Sequence, residues 1–158
     1  MAIQYGSSTA MTITAGSLAS ATNRSSAAVT SALTNNTVDY LITVSALTTA
    51  TAPTGNKQVI VYGYMSEDGT NYTGNSGTTD NVDGTDKALT AIGSPTSLFF
   101  MGTLQLNQGA VAVTAREQFS VATTFGVIPP KWGIVLYNDC GTALGTTVTA
   151  TYREVYYS

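Results

Sequence analysis

Apolar and polar positions alternate with a period of two through most of the chain. From Thr37 to Leu47, Val38, Tyr40, Ile42, Val44 and Ala46 share one face, and Asp39, Leu41, Thr43, Ser45 and Leu47 share the other. Side chains of a strand point to its two faces in turn, so this pattern predicts a strand with one buried face. Lys57 to Met65 repeats it, with Val59, Val61, Gly63 and Met65 opposite Ile60, Tyr62 and Tyr64. Thr146 to Tyr156 sets Val148, Ala150 and Tyr152 against Thr147, Thr149 and Thr151. Shorter alternations predict strands at Ala10 to Ala15 and Trp132 to Tyr137, and one bent strand or two short ones over Ala110 to Ala115 and Glu117 to Thr124. Ser97 to Leu106 is almost continuously apolar, which predicts a central strand buried on both faces.

Turn formers separate these segments: Pro53 and Gly55, Ser66-Glu67-Asp68-Gly69, Asn107-Gln108-Gly109, Pro129-Pro130 and Asn138-Asp139-Cys140-Gly141. Neither proline can donate to a ladder, so pairing must stop there. Thr70 to Ala88 is the longest stretch of low hydrophobicity and predicts a projecting loop. Gly16 to Ala32 predicts an irregular arm or a weak edge strand, with a short helix at Ser25 to Leu33 as an alternative. About eight short strands with turns between them predict an all-β, single-domain antiparallel β-sandwich. Jelly-roll connections are expected, with an immunoglobulin-like Greek key as the alternative. Residues 1–20 form an N-terminal arm with a short first strand in this scheme, and residues 21–158 form the sandwich.

Composition narrows the chemistry. The 158 residues include 28 threonines, but charged residues make up only 9%. A surface short of charge must be covered by hydroxyls and amides, which few ion pairs make sensitive to salt. It also lacks the repulsion that keeps monomers apart. The net charge of −3 argues against a nucleic-acid partner. No stretch reaches the length of a membrane helix, so no membrane partner is expected. The first residues, Met1 to Gly6, lack the basic and apolar regions of a signal peptide. Without histidine, Ser–His–Asp and Cys–His nucleophiles are excluded. One cysteine excludes an intrachain disulfide and a structural zinc site.

The remaining candidates are few. Asp80, Asp83 and Asp86 crowd one loop with Gly84, and such a loop could offer calcium several oxygens. Their spacing is not that of an EF-hand, and a solvated loop tip is the expected reading. The acids give no sequence sign of the paired carboxylates of a glycosidase. Tyr62, Tyr64, Tyr72, Tyr137, Tyr152, Tyr156 and Tyr157 could stack on sugars, but cross-strand packing and interface contacts are expected first. Glycosylation sequons at Asn23, Asn35 and Asn71 are expected by chance in a chain this rich in asparagine and threonine. No catalytic residue, cofactor or resident metal is expected.

Val61 to Thr73 reads Val-Tyr-Gly-Tyr-Met-Ser-Glu-Asp-Gly-Thr-Asn-Tyr-Thr. It resembles the passage of a strand followed by Ser-x-Asp-Gly-x-x-Tyr in small bacteriophage virion β-sandwich proteins. Ile128 to Asp139, followed by Gly141 and Ala143-Leu144, is similar to a late strand of phage structural proteins, and Arg24-Ser25-Ser26 fits the same pattern. The resemblance spans Arg24 to the C-terminus. It implies a non-enzymatic virion component: a capsid decoration or cement protein, often trimeric, or a tail, collar or fibre accessory with an adhesive role. The expected partners are the major capsid protein or other virion proteins and further copies of the chain, with the capsid surface as its location. A lectin-like carbohydrate-binding domain is the remaining alternative. The uncharged stretch Met1 to Ala15 is expected to be able to add a strand to a neighbour.

Overall fold

The computed structural model describes residues 1–32, 36–48, 51–74, 81–89, 97–106 and 114–158. Its strands are β1 (Ile3–Tyr5), β2 (Thr9–Ala10), β3 (Asn23–Ser25), β4 (Val29–Thr30), β5 (Thr37–Thr48), β6 (Gln58–Ser66), β7 (Lys87–Leu89), β8 (Phe99–Gln105), β9 (Thr114–Ser120), β10 (Lys131–Asp139) and β11 (Leu144–Tyr157), with one helix, α1 (Val121–Phe125). They form two antiparallel sheets. The first has the order β1-β11-β5-β9, with β2 also on β11, and the second β7-β3-β10-β6-β8, with β4 also on β10.

Setting aside the two-residue β2 and β4, and β7, which adds to the end of the second sheet, leaves eight main strands among the described residues. Counted from 1 to 8 along the chain, they run 1-8-3-6 in one sheet and 2-7-4-5 in the other. This is the strand order of a jelly roll, two interlocked Greek keys. Every connection between consecutive main strands crosses between sheets, except β6 to β8. An immunoglobulin sandwich keeps its A–B and F–G hairpins within single sheets, so the Greek-key alternative is not what forms.

The alternation carries the core. Ile42, Val44 and Ala46 of β5 face Val59 and Val61 of β6 and Trp132, Ile134 and Leu136 of β10, all fully buried. Trp132 is the hub. Its ring centroid lies 5.3 Å from that of Tyr40 and 5.6 Å from that of Tyr152. Its indole N–H donates to Ser31 Oγ at 3.1 Å, and Ser31 donates to the Pro129 carbonyl at 2.7 Å. The polar edge of the indole is therefore satisfied, as burial requires.

Several expectations need correction. Residues 1–20 are not a separate arm. β1 and β2 pair with β11 of the same chain, and Met11 and Ala15 are buried in the core. Apolar side chains with a free sheet edge beside them bury there at no cost in molecularity. The expected strand at Ala10 to Ala15 shrinks to β2, because Thr14 turns away to bond Asp86 through its N–H and its hydroxyl. Gly16 to Ala32 holds two short strands, β3 and β4, rather than a helix.

The strand expected over Glu117 to Thr124 ends at Ser120, where α1 begins. Ser120 Oγ accepts the Thr123 N–H at 3.0 Å, and Asp39 Oδ1 accepts the Ala122 N–H at 2.8 Å. Two capping acceptors thus override the β preference of Val121, Thr123 and Thr124. Ser97 to Leu106 is not a central strand: among the described residues β8 ends the second sheet, and Phe100 is 64% exposed. Its continuous apolar run has another cause. Leu104 enters the main core, Phe99 packs on Phe125, and Leu98 packs on the outer side of the sheet.

Cys140 is buried, and its thiol donates to the Gln58 carbonyl at 3.2 Å. Burial, assisted by the charge of Asp139, pushes its pKa up to about 11. The thiolate is the reactive form, so the folded chain should resist iodoacetamide at mildly alkaline pH. Mass spectrometry should find the adduct only after urea unfolding, whereas rapid native labelling would show that this end of the sandwich opens.

Candidate interaction surfaces

The second sheet is covered on its outer side, and the cover begins at the Ser-Glu-Asp-Gly turn. The N–H groups of Asn71 and Thr70 bond Asp68 Oδ1, at 2.7 and 2.8 Å, and hold its carboxyl well below the usual carboxylate range. Asn71 Nδ2 and Ser66 Oγ add further bonds to the same carboxylate. Gly69 takes φ +75°, which a side chain would resist, and its carbonyl accepts from Lys131 Nζ at 3.0 Å. The turn returns the chain so that Tyr72 meets Tyr64 edge-on, with ring centroids 5.7 Å apart.

Tyr64, Val135, Val82 and Leu89 then form a second buried cluster. Tyr64 lies over Gly133, where an added Cβ would overlap its ring. Its hydroxyl donates to the Ser26 carbonyl at 2.7 Å, and burial drives its pKa well above the ordinary tyrosine value. The described part of Thr70 to Ala88 is therefore no projecting loop. Its buried Val82, together with Tyr72, turns it onto the sheet, and β7 adds a strand beside β3.

The three acids named as calcium candidates do not gather around a common point among the described residues. Asp80 lies outside those residues. Asp86 Oδ1 meets Arg24 Nε at 2.7 Å, and Thr14 donates to both of its carboxylate oxygens. Asp83 Oδ2 meets Lys87 Nζ at 2.7 Å, and Thr85 bonds Oδ1. No group of three or more Cys, Asp or Glu side chains converges among the described residues. The two aspartates fasten the cover instead. Asp86 joins it to β3 and the N-terminal segment, and Asp83 ties β7 back on itself.

Burial acts to raise both aspartate pKa values, but hydrogen bonds outweigh it. The bonds from Lys87 and Thr85 bring Asp83 down to about 2, and those from Arg24 and Thr14 lower Asp86. Folded values below the ordinary value of about 3.9 mean that the stabilisation is complete above that pH. It is lost as pH falls through the folded values. NMR signals of Lys87–Leu89 should therefore broaden between about pH 4 and 2. Signals unmoved across that window would show that these pairs do not hold the cover.

Among the described residues the cover meets Ser97 and Leu98 through Gly74 but leaves the β8 side exposed at Phe100. Tyr62, Phe100, Ile60 and Tyr137 share the outer face there: Tyr62 stands across from Phe100 on one side and Val135 on the other, and Ile60 across from Tyr137. The Tyr62 and Phe100 rings meet edge-on at 6.2 Å. Phe100 is 64% exposed, and Tyr62, Ile60 and Tyr137 are half-buried. Burial raises the Tyr62 pKa, with Tyr137 and Asp139 adding to the effect. This is an aromatic patch at the end of a sheet, a composition typical of protein interfaces.

The outer face of the first sheet differs. Thr43, Ser45, Thr149 and Thr151 stand side by side across β5 and β11, with Arg116 and Arg153 flanking them. The tyrosines named in the sequence do not build one sugar platform: Tyr62 packs on Phe100, Tyr64 on Tyr72, and Tyr152 on Tyr40. Among the sequons, Asn23 is buried and Asn71 is exposed, and Asn35 lies outside the described residues. Sequence reasoning missed Phe100 and the two arginines. Period-two alternation sorts the faces of one strand but does not say which strand ends a sheet.

No family model matches the chain, and neither does a curated protein or a solved structure.

Proposed function

We propose that the chain is a bacteriophage virion structural protein, a capsid decoration or cement protein that acts by binding alone. The observation that carries this reading is the aromatic patch of Tyr62, Phe100, Ile60 and Tyr137 on the outer face of the second sheet, where Phe100 is 64% exposed. Jelly rolls recur in viral capsid domains, although fold alone assigns no role. The patch supplies an apolar centre for an interface, and the low charge of the surface removes a barrier to close packing. Three copies bring their Phe100 side chains together about a three-fold axis, and the trimer sits on the head lattice. The resemblance of Val61 to Thr73 and of Ile128 to Asp139 to phage virion proteins points the same way.

Labelling of intact particles with an antibody against the chain tests this. Dense labelling over the whole head is expected, because a decoration protein is present in hundreds of copies. Labelling confined to the tail or collar would favour an adhesive accessory. Unlabelled particles would overturn the virion reading.

A further inference from the structure

We infer that the outer face of the first sheet is a binding groove for an acidic oligosaccharide, one carrying carboxylate or sulfate groups. The groove encloses about 210 Å³, and its floor is Thr43, Ser45, Thr149 and Thr151. The register sets Arg116, Ser45 and Thr149 in one row across the sheet, and Thr43 beside Thr151 in the next. Arg153 lies one row further along β11, opposite Leu41. The two arginine backbones are thus about 13 Å apart along the strands and about 10 Å apart across them. Both arginines line the same groove, at opposite corners of it.

Charge selects the ligand. Arg24 is spent on Asp86, Lys87 on Asp83, and Lys131 on the Gly69 carbonyl. Arg116 and Arg153 form no ion pair among the described residues, and no carboxylate lines their groove. In a chain of net charge −3, two unpaired guanidinium groups over one polar floor complement an anion. Guanidinium groups bind carboxylates and sulfates through paired N–H donors.

The floor selects a sugar over a protein. A stable protein interface needs an apolar centre, and here the centre is hydroxyl. Threonine and serine can each donate and accept, which matches the hydroxyls of a sugar. Exposed Tyr5 stands across from Val155 on this same face, diagonal to Arg153, and offers a ring for stacking at the end of the groove. This groove lies on the opposite sheet from the aromatic patch and does not depend on the virion reading.

The test titrates the full chain with tetragalacturonate, followed by two-dimensional NMR. Saturable binding is expected, with shifts confined to β5, β9 and β11 and an affinity that falls as sodium chloride is raised. Arg116→Gln combined with Arg153→Gln should weaken binding by about tenfold or more, at an unchanged melting temperature. Thr43→Val combined with Thr151→Val keeps the charge and should still weaken it about threefold or more. Cellotetraose, which is neutral, should not bind. A heparin tetrasaccharide binding more tightly at the same residues would support the groove and identify sulfate as its anion. The inference fails if neither tetragalacturonate nor the heparin tetrasaccharide saturates at low salt. It also fails if oligoglutamate of equal charge binds as well and the threonine variant has no effect, since the groove would then be only a patch of positive potential.

Discussion

Trp132→Ala should cost the fold about 3–5 kcal/mol. That is a large share of the roughly 5–15 kcal/mol that holds a domain of this size together. The indole is fully buried between the sheets and touches rings from both long strands of the first sheet, Tyr40 of β5 and Tyr152 of β11. Its removal leaves a cavity that these rings cannot fill without leaving their own positions. It also removes the donor to Ser31 Oγ, whose own bond to the Pro129 carbonyl stays. Urea unfolding followed by circular dichroism should show the midpoint falling sharply with an unchanged slope. A loss below about 1 kcal/mol would mean that the centre of the sandwich collapses freely, contrary to close packing.

The second large effect is expected at the surface. Phe100→Asp should leave the stability of the dissociated monomer, measured at high dilution, close to that of the unaltered chain, because the ring is 64% exposed in the single chain. Self-association should weaken by about thirtyfold or more, the loss of about 2 kcal/mol expected of an aromatic anchor at an interface centre. Light scattering over a dilution series measures it. Gln105→Ala, at the far end of the same strand and outside the patch, should change neither quantity. Unaltered association of Phe100→Asp would remove the patch from the interface.

The sandwich was legible in the sequence because its long strands are half-buried and alternate cleanly. The inner faces of β5 and β11 follow the alternation through Tyr40 to Ala46 and Val148 to Tyr152. Legibility fails where a short-range signal competes with a long-range one. Met11 and Ala15 become core residues only because β2 reaches β11, a pairing that spans most of the chain. Val82 lies in a polar stretch that composition assigns to solvent, yet it is buried because Tyr64 and Val135 offer an apolar surface on a second face of the sheet. Helix α1 had a local sign in Ser120 and Gly126, but the cap from Asp39 comes from another strand. Asp83 and Asp86 could be read as part of a metal loop because sequence shows their crowding and hides the partners of Asp86, Arg24 and Thr14, more than sixty residues away.

The candidate surfaces were legible in kind rather than in place. A chain poor in charge and rich in threonine must present hydroxyl faces, and one does form across β5 and β11. Its position, and the uncovered aromatic patch on the other sheet, follow from strand order. That order is set by the crossing connections of the jelly roll and by packing between sheets, which single-strand periodicity does not encode.

Sedimentation equilibrium of the purified chain tests most directly whether it is an assembling piece. The account predicts a species three times the 16.3 kDa mass of one chain, dissociating only on strong dilution. A single species of 16.3 kDa at every concentration would contradict it.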